Sequence, residues 1–147
     1  MSNEVTELSI EDIMDLRVKV LRKGTPYTHA NYPEDTYHDV VHFGIMDDGI
    51  VLATSTWFMK ECPERIGISA MQLKGMAVSS SLQSSGFGSK LITRGLQHAQ
   101  DNGAQCIWAR ARDFAIGFYE RCGFEVIGDG FMDEPTAMPH HIVLRPV

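Results

Sequence analysis

A mixed α/β (α+β) fold, built on one mostly antiparallel sheet flanked by helices, is what this 147-residue sequence predicts. Two observations carry the prediction. Two strand-like runs, 40–46 and Ile50–Met59, meet at Asp47-Asp48-Gly49, a hairpin turn signal. A third strand-like run, 68–78, passes through a serine- and glycine-bearing loop into a helical stretch, 89–100, with Leu91, Ile92, Leu96 and Ala99 on one side. No repeat, low-complexity tract or linker interrupts the chain, so residues 1–147 are expected to form one domain.

The remaining elements follow in order. Residues 6–9 read as a short first strand. Ser9-Ile10-Glu11-Asp12 has the form of a capping box, and Ile10, Ile13, Met14, Leu16, Val20 and Leu21 make a helical apolar stripe ending near Gly24. Residues 25–37, rich in Pro, Tyr, His and Asp, read as a loop or broken helix. Cys62-Pro63-Glu64-Arg65 is a second turn. Gly103 stops the 89–100 helix, and 106–111 is a buried strand. A helix starting at Asp113 or a neighbour runs through Glu120 to a stop at Gly123. Residues 124–127 and 137–144 finish as strands, with Asp133 and Glu134 in a solvated turn between them. Trp57, Trp108 and Phe43 are expected in the core.

Composition removes several function classes. Hydrophobic residues make up 44% and charged residues 22%, as in ordinary soluble domains. A formal charge of −6 argues against nucleic acid as partner, which calls for a basic face. No apolar run approaches membrane length, and Met1-Ser2-Asn3-Glu4 lacks the form of a signal peptide. Cys62, Cys106 and Cys122 form no Cys-x-x-Cys pair, which fits a reducing cytoplasm with each thiol packed as a small hydrophobe. The His and Cys residues show no metal-ligand spacing, so no metal is expected.

The loop between residues 78 and 89 carries the chemistry. A glycine-bearing loop that opens a helix gathers free backbone N–H groups at the positive end of the helix dipole. Such a loop holds phosphate or pyrophosphate without a basic side chain. A Rossmann dinucleotide site is disfavoured. Gly86-x-Gly88 is followed by Leu91 where the third glycine would stand, and no alternating β-α repeat surrounds it.

Met76-Ala77-Val78 followed by Gln83-Ser84-Ser85-Gly86-Phe87-Gly88 resembles the acetyl-CoA loop of GNAT acetyltransferases, written Gln/Arg-x-x-Gly-x-Gly/Ala. Further on, Ala115-Ile116-Gly117-Phe118-Tyr119-Glu120-Arg121-Cys122-Gly123-Phe124 resembles their Ala-x-x-Phe-Tyr-x-x-x-Gly-Phe segment. Leu16-Arg17, Leu21-Arg22-Lys23-Gly24, Leu73-Lys74-Gly75-Met76-Ala77-Val78 and Pro139-His140 are similar to a bacterial subgroup. The resemblance covers nearly the whole chain and implies a sheet splayed between its fourth and fifth strands. It also implies acetyl-CoA as co-substrate, with the pantetheine arm on Met76, Ala77 and Val78 and the pyrophosphate on the amides of Ser84, Ser85, Gly86, Phe87, Gly88 and Ser89 beside Gln83. Ala115 and Phe118 join that cofactor set. Ser84 and Ser85 replace the Arg, Lys or Gly frequent in relatives, and Arg112 stands where many have a pantetheine-contacting Asn.

The activity so implied is transfer of an acetyl group to a primary amine of a small molecule or peptide, directly in a ternary complex. The alternative is a non-catalytic acyl-CoA-binding regulatory domain, kept open because residues 67–78 contain no Asp or Glu to serve as base. Tyr119 is the expected acid for the leaving thiolate; against it stands a plain packed aromatic beside Phe118. For the base, His140 ranks first and His42 second, with His141, Asp35 and Glu34 as further candidates. An ordinary structural hydrogen bond is the competing role for each histidine. One of Arg17 and Arg22 is a candidate for binding an anionic acceptor, against a solvated charge or a partner for the helix dipole. The acidic net charge leans toward a cationic amine. Members of the family are often dimers, so a homodimer is the oligomeric expectation.

Overall fold

The computed structural model describes residues 4–133 and 137–147; Met1, Ser2 and Asn3, and Glu134 of the expected turn, lie outside the described residues. In chain order the elements are β1 (Thr6–Leu8), α1 (Ile10–Leu21), β2 (Val41–Asp47), β3 (Ile50–Met59), β4 (Ala70–Val78), α2 (Phe87–Asp101), β5 (Cys106–Arg112), α3 (Ile116–Arg121), β6 (Glu125–Asp133) and β7 (Met138–Pro146). Short 3-10 turns occupy Pro33–Thr36, Ser80–Leu82 and Asp113–Ala115. The strands form a mixed seven-stranded sheet in the order β1-β2-β3-β4-β5-β7-β6. This is the fold class the sequence predicts.

The parallel pairing of β4 with β5 is short. It runs from Ala70↔Cys106 to Leu73↔Ala109, while β4 continues through residues 74–78 and β5 through Arg110-Ala111-Arg112. The cause is local to β4. Gly75 adopts φ +66, a left-handed conformation that an extended ladder cannot carry, and it follows the last paired residue closely. Pairing therefore ends midway along both strands, as the expected splay requires.

The chain divides into two compact units. The first comprises Met1–Phe58 and Lys74–Gly95. Its α1 begins with a capping box in which Ser9 Oγ accepts from the Asp12 amide and the Asp12 carboxylate accepts from the Ser9 amide. β1 and β2 are antiparallel, with Glu7 opposite Phe43. β2 and β3 join through a two-residue turn, Asp48 and Gly49, both with positive φ as a type I′ hairpin needs. Ile13, Phe43, Ile45, Ala53, Trp57, Phe58, Leu91 and Ile92 are buried in this unit. Gly95 on α2 lies flush against the Trp57 indole, which occupies the space a Cβ would need.

The second unit comprises Met59–Leu73 and Leu96–Val147. β5 pairs with the start of β4 and, antiparallel, with β7; β7 pairs antiparallel with β6. Cys62, Ala70, Cys106, Trp108 and Ile142 form a buried cluster, closed over by Ile68, Ile127, Phe131 and Leu144. The Trp108 indole donates to the Lys60 carbonyl at 2.8 Å. Two expectations need correction here. β6 does not end at residue 127: it passes Gly128-Asp129-Gly130 through an irregularity and resumes pairing at Phe131↔His140. Asp133 is no solvated turn residue. It closes β6 opposite Met138 and ion-pairs with Arg110 at 3.2 Å.

Candidate active site

The loop before α2 leaves backbone N–H groups at a helix start. Gln83 reaches back to donate to the Val78 carbonyl at 3.3 Å, capping the end of β4. Ser84 and Gly86 both take positive φ, 69° and 90°. The first helical bond of α2 runs from the Lys90 amide to the Gly86 carbonyl at 3.1 Å. The amides of Gly86, Phe87, Gly88 and Ser89 precede it and have no acceptor within the helix. They lie at the positive end of a 15-residue helix dipole. The Ser85 amide is already engaged, donating to the Leu82 carbonyl at 3.2 Å in the preceding turn. Gln83, Ser84, Ser85, Gly86 and Ser89 are exposed, whereas the Phe87 ring is buried and anchors the helix start. On β4, Ala77 is buried and Met76 and Val78 are half-buried.

The same unit holds a buried polar network that sequence reasoning did not foresee. Arg17 is fully buried, not solvated. Its guanidinium forms a fork with Asp35, two bonds of 2.8 Å, and also donates to the Ala30 carbonyl at 2.9 Å and Thr56 Oγ1 at 2.7 Å. His42, also buried, has Nδ1 2.7 Å from that same Thr56 oxygen. Burial and then the Arg17 charge hold the His42 ring below its usual titration range, so it is neutral at pH 7. Burial pushes the Asp35 carboxyl up, but the Arg17 hydrogen bonds and charge, with the Tyr32 amide, bring it below the ordinary value. Nearby, Lys74 Nζ pairs with buried Glu34 at 2.9 Å. Arg17 and Lys74 both face the Tyr32 ring, 4.3 Å and 4.6 Å from its centre. Asp35 and Glu34, both weighed as bases, are thus salt-bridged. Arg17 was legible only as a candidate charge, because Asp35 and Thr56 come from distant segments.

In the second unit, Tyr119 is buried on α3 between two aromatic rings, edge-on to Phe118 at 5.1 Å and to Phe124 at 5.3 Å. Ala115 and Phe118 are half-buried on the same short helical segment, which begins just after Arg112 at the end of β5. The β5–β7 register sets Arg112 opposite His140 and Ala111 opposite His141. His140 is buried and stacks on Phe131 at 5.8 Å. Its Nδ1 lies 2.8 Å from the Met138 carbonyl. A carbonyl only accepts, so Nδ1 carries the proton and the Nε2 lone pair is left available in the neutral ring. His141 has Nδ1 2.7 Å from the Asp113 carboxylate and is more exposed. The structure thus sets His140 opposite Arg112, carries Ala115, Phe118 and Tyr119 on the segment that follows Arg112, and places His42 with the Arg17 network in the other unit.

Among the described residues, no three His, Cys, Asp or Glu side chains are grouped as a metal site requires, and no helix is long and apolar enough to cross a membrane.

Comparison with known proteins gives a consistent result. Residues 10–124 match the Acetyltransferase (GNAT) family. The chain is 29% identical over 141 residues to the uncharacterised N-acetyltransferase YitI of Bacillus subtilis, covering 96% of this chain and 93% of that protein. The solved structure of an acyl-CoA N-acyltransferase from Pseudomonas aeruginosa superposes with a TM-score of 0.75 at 20% identity, over 97% of this chain and 98% of that one. An aminoglycoside 6'-N-acetyltransferase complexed with coenzyme A gives a TM-score of 0.72 at 11% identity, over 97% and 96% of the two chains.

Proposed function

Because the chain belongs to the acetyltransferase (GNAT) family, we propose that residues 1–147 act as one domain moving an acetyl group from acetyl-CoA to a primary amine, directly in a ternary complex. The observation that carries the proposal is the set of amides from Gly86 to Ser89, without helical acceptors at the start of α2. They supply four donors and a dipole to a diphosphate while adding no side-chain cation. That suits a chain with net charge −6. The solved relative that holds coenzyme A shares this fold. Met76, Ala77 and Val78, past the Gly75 irregularity, are assigned to the pantetheine arm; Ala115, Phe118 and Arg112 are assigned to the cofactor on the family's motif alone.

In the transfer, acetyl-CoA supplies an activated thioester. The neutral acceptor nitrogen bonds to the acyl carbon, the carbon–sulfur bond breaks, and one proton must leave nitrogen while one reaches sulfur. Tyr119 is assigned the protonation of sulfur, since a phenol with pKa about 10 is protonated at neutral pH and can donate to a thiolate. His140 is assigned the removal of the proton from nitrogen, since its Nδ1–H is anchored on Met138 and Nε2 can accept. His42 is the weaker base. Thr56 accepts from Arg17 and can donate its own hydroxyl proton to Nδ1, which then fixes the ring proton on Nε2. Buried, free Cys62 and Cys106, with thiols pushed up by burial, suit a reducing compartment.

The test is release of free CoA thiol from acetyl-CoA with a panel of primary amines. Amine-dependent release is expected. A domain that merely bound acyl-CoA would release none, and that result would leave only the regulatory reading.

A further inference from the structure

The first unit gathers three cations around the Tyr32 ring: Arg17 at 4.3 Å, Lys74 at 4.6 Å and Arg22 at 6.0 Å. Two have carboxylate partners. Arg17 is held by Asp35 in a fork, and Lys74 by Glu34. Arg22 has none: its side chain makes one polar contact among the described residues, a 3.4 Å bond to the carbonyl of Leu21 beside it. Yet the Arg22 residue is only 9% exposed, close to the 5% of Glu34 in the same unit. With His42 held neutral by burial and by Arg17, these groups leave one positive charge uncompensated, on Arg22. The Arg22 residue is mostly buried, yet none of its guanidinium nitrogens is a buried polar atom without a partner, so the planar donor fork stays within reach of solvent and matches a carboxylate.

We propose that Arg22 binds a carboxylate on the acceptor, so that the substrate is a small amine bearing a carboxylate, of the amino-acid class. This rests on the acetyltransferase reading and narrows its acceptor. One surplus charge balances a monoanion; a phosphate dianion would call for a second free cation, and Lys74 and Arg17 are committed. The local sign reverses what the acidic net charge suggests, because the carboxylate meets the cluster at Tyr32 and not the average surface. The competing role for Arg22 is stabilisation of the α1 C-terminus, where it is the capping residue.

Matched probes separate these roles. Free L-amino acids, their carboxamides and amino-sugar phosphates are compared for CoA thiol release at saturating acetyl-CoA. The acids should exceed the amides at least about tenfold in kcat/KM. Arg22→Gln should collapse that ratio toward one, chiefly through KM, and Arg22→Lys should restore part of it. Amides turned over as well as acids, phosphates preferred over both, or an acid preference that survives Arg22→Gln, would each overturn the proposal. Thiol release from no amine would instead remove acetyl transfer itself. Calorimetric titration of the same amino acids into CoA-loaded protein, wild type against Arg22→Lys and Arg22→Gln, then decides the carboxylate site independently of turnover: no binding, or equal binding, overturns it.

Discussion

Two residues in the second unit carry the proposed proton transfers. Tyr119 sits edge-on between Phe118 and Phe124, so Tyr119→Phe keeps the packing and removes only the hydroxyl. Turnover should fall at least about tenfold with CoA affinity unchanged. His140→Ala should abolish or shift the acidic limb of the kcat/KM profile, and an unmoved profile in both His140→Ala and His42→Ala would exclude both histidines as base. His42 has a separate consequence for stability. Its folded-state titration is lowered below the usual 6.5 by burial and by Arg17. The unfolded chain therefore binds the proton more readily. The contribution is fully present above pH 6.5 and is lost as pH falls from there toward the lowered folded value. Urea midpoints at pH 7.5 and 5.5 should show a loss of stability that shrinks in His42→Gln. An identical pH dependence in the variant would show that His42 does not contribute it.

The helix α2 serves packing and binding with different residues. Gly95 has no room for a side chain against Trp57. Gly95→Ala should destabilise by about 1–3 kcal/mol although alanine is the better helix former, because overpacking outweighs a propensity gain of about 1 kcal/mol. Urea unfolding reads the sign directly, and a stabilised variant would show that the contact yields easily. At the other end, Ser84 and Gly86 take positive φ in the loop that leads into the four helix-start amides without helical acceptors. Serine is not glycine, and the 69° at Ser84 is a strained choice that no sequence pattern signalled. The hairpin at Asp48-Gly49 and the capping box at Ser9 were readable because each is written in adjacent residues. Read from sequence, β6 ends at residue 127, whereas the strand passes Gly128 and Gly130 as an irregularity and pairs with β7 again from Phe131.

For the molecule as a whole, the order of strands and helices was legible from periodicity and turn residues, and the family from two motifs. Both are local in sequence. Two features were not legible. The Arg17–Asp35–Thr56–His42 network joins a helix, a loop and two strands, and burial of a charge shows only once its partners are in place. Gly75 reads as one more glycine in an apolar run, yet its conformation ends the parallel pairing of β4. The family match ends at residue 124, so His140 on β7 rests on the geometry of its own ring, not on the match.

The helix-start amides can be tested apart from any acceptor. Calorimetry should be run with coenzyme A and with pantetheine, which keeps the thiol arm and lacks the diphosphate and nucleotide. If the amides of Gly86 to Ser89 hold the diphosphate, coenzyme A binds saturably, pantetheine binds at least about a hundredfold more weakly, and Gly86→Val narrows the difference. Equal affinities for the two, or no saturable heat with coenzyme A, would contradict the anion site on which the enzyme assignment stands.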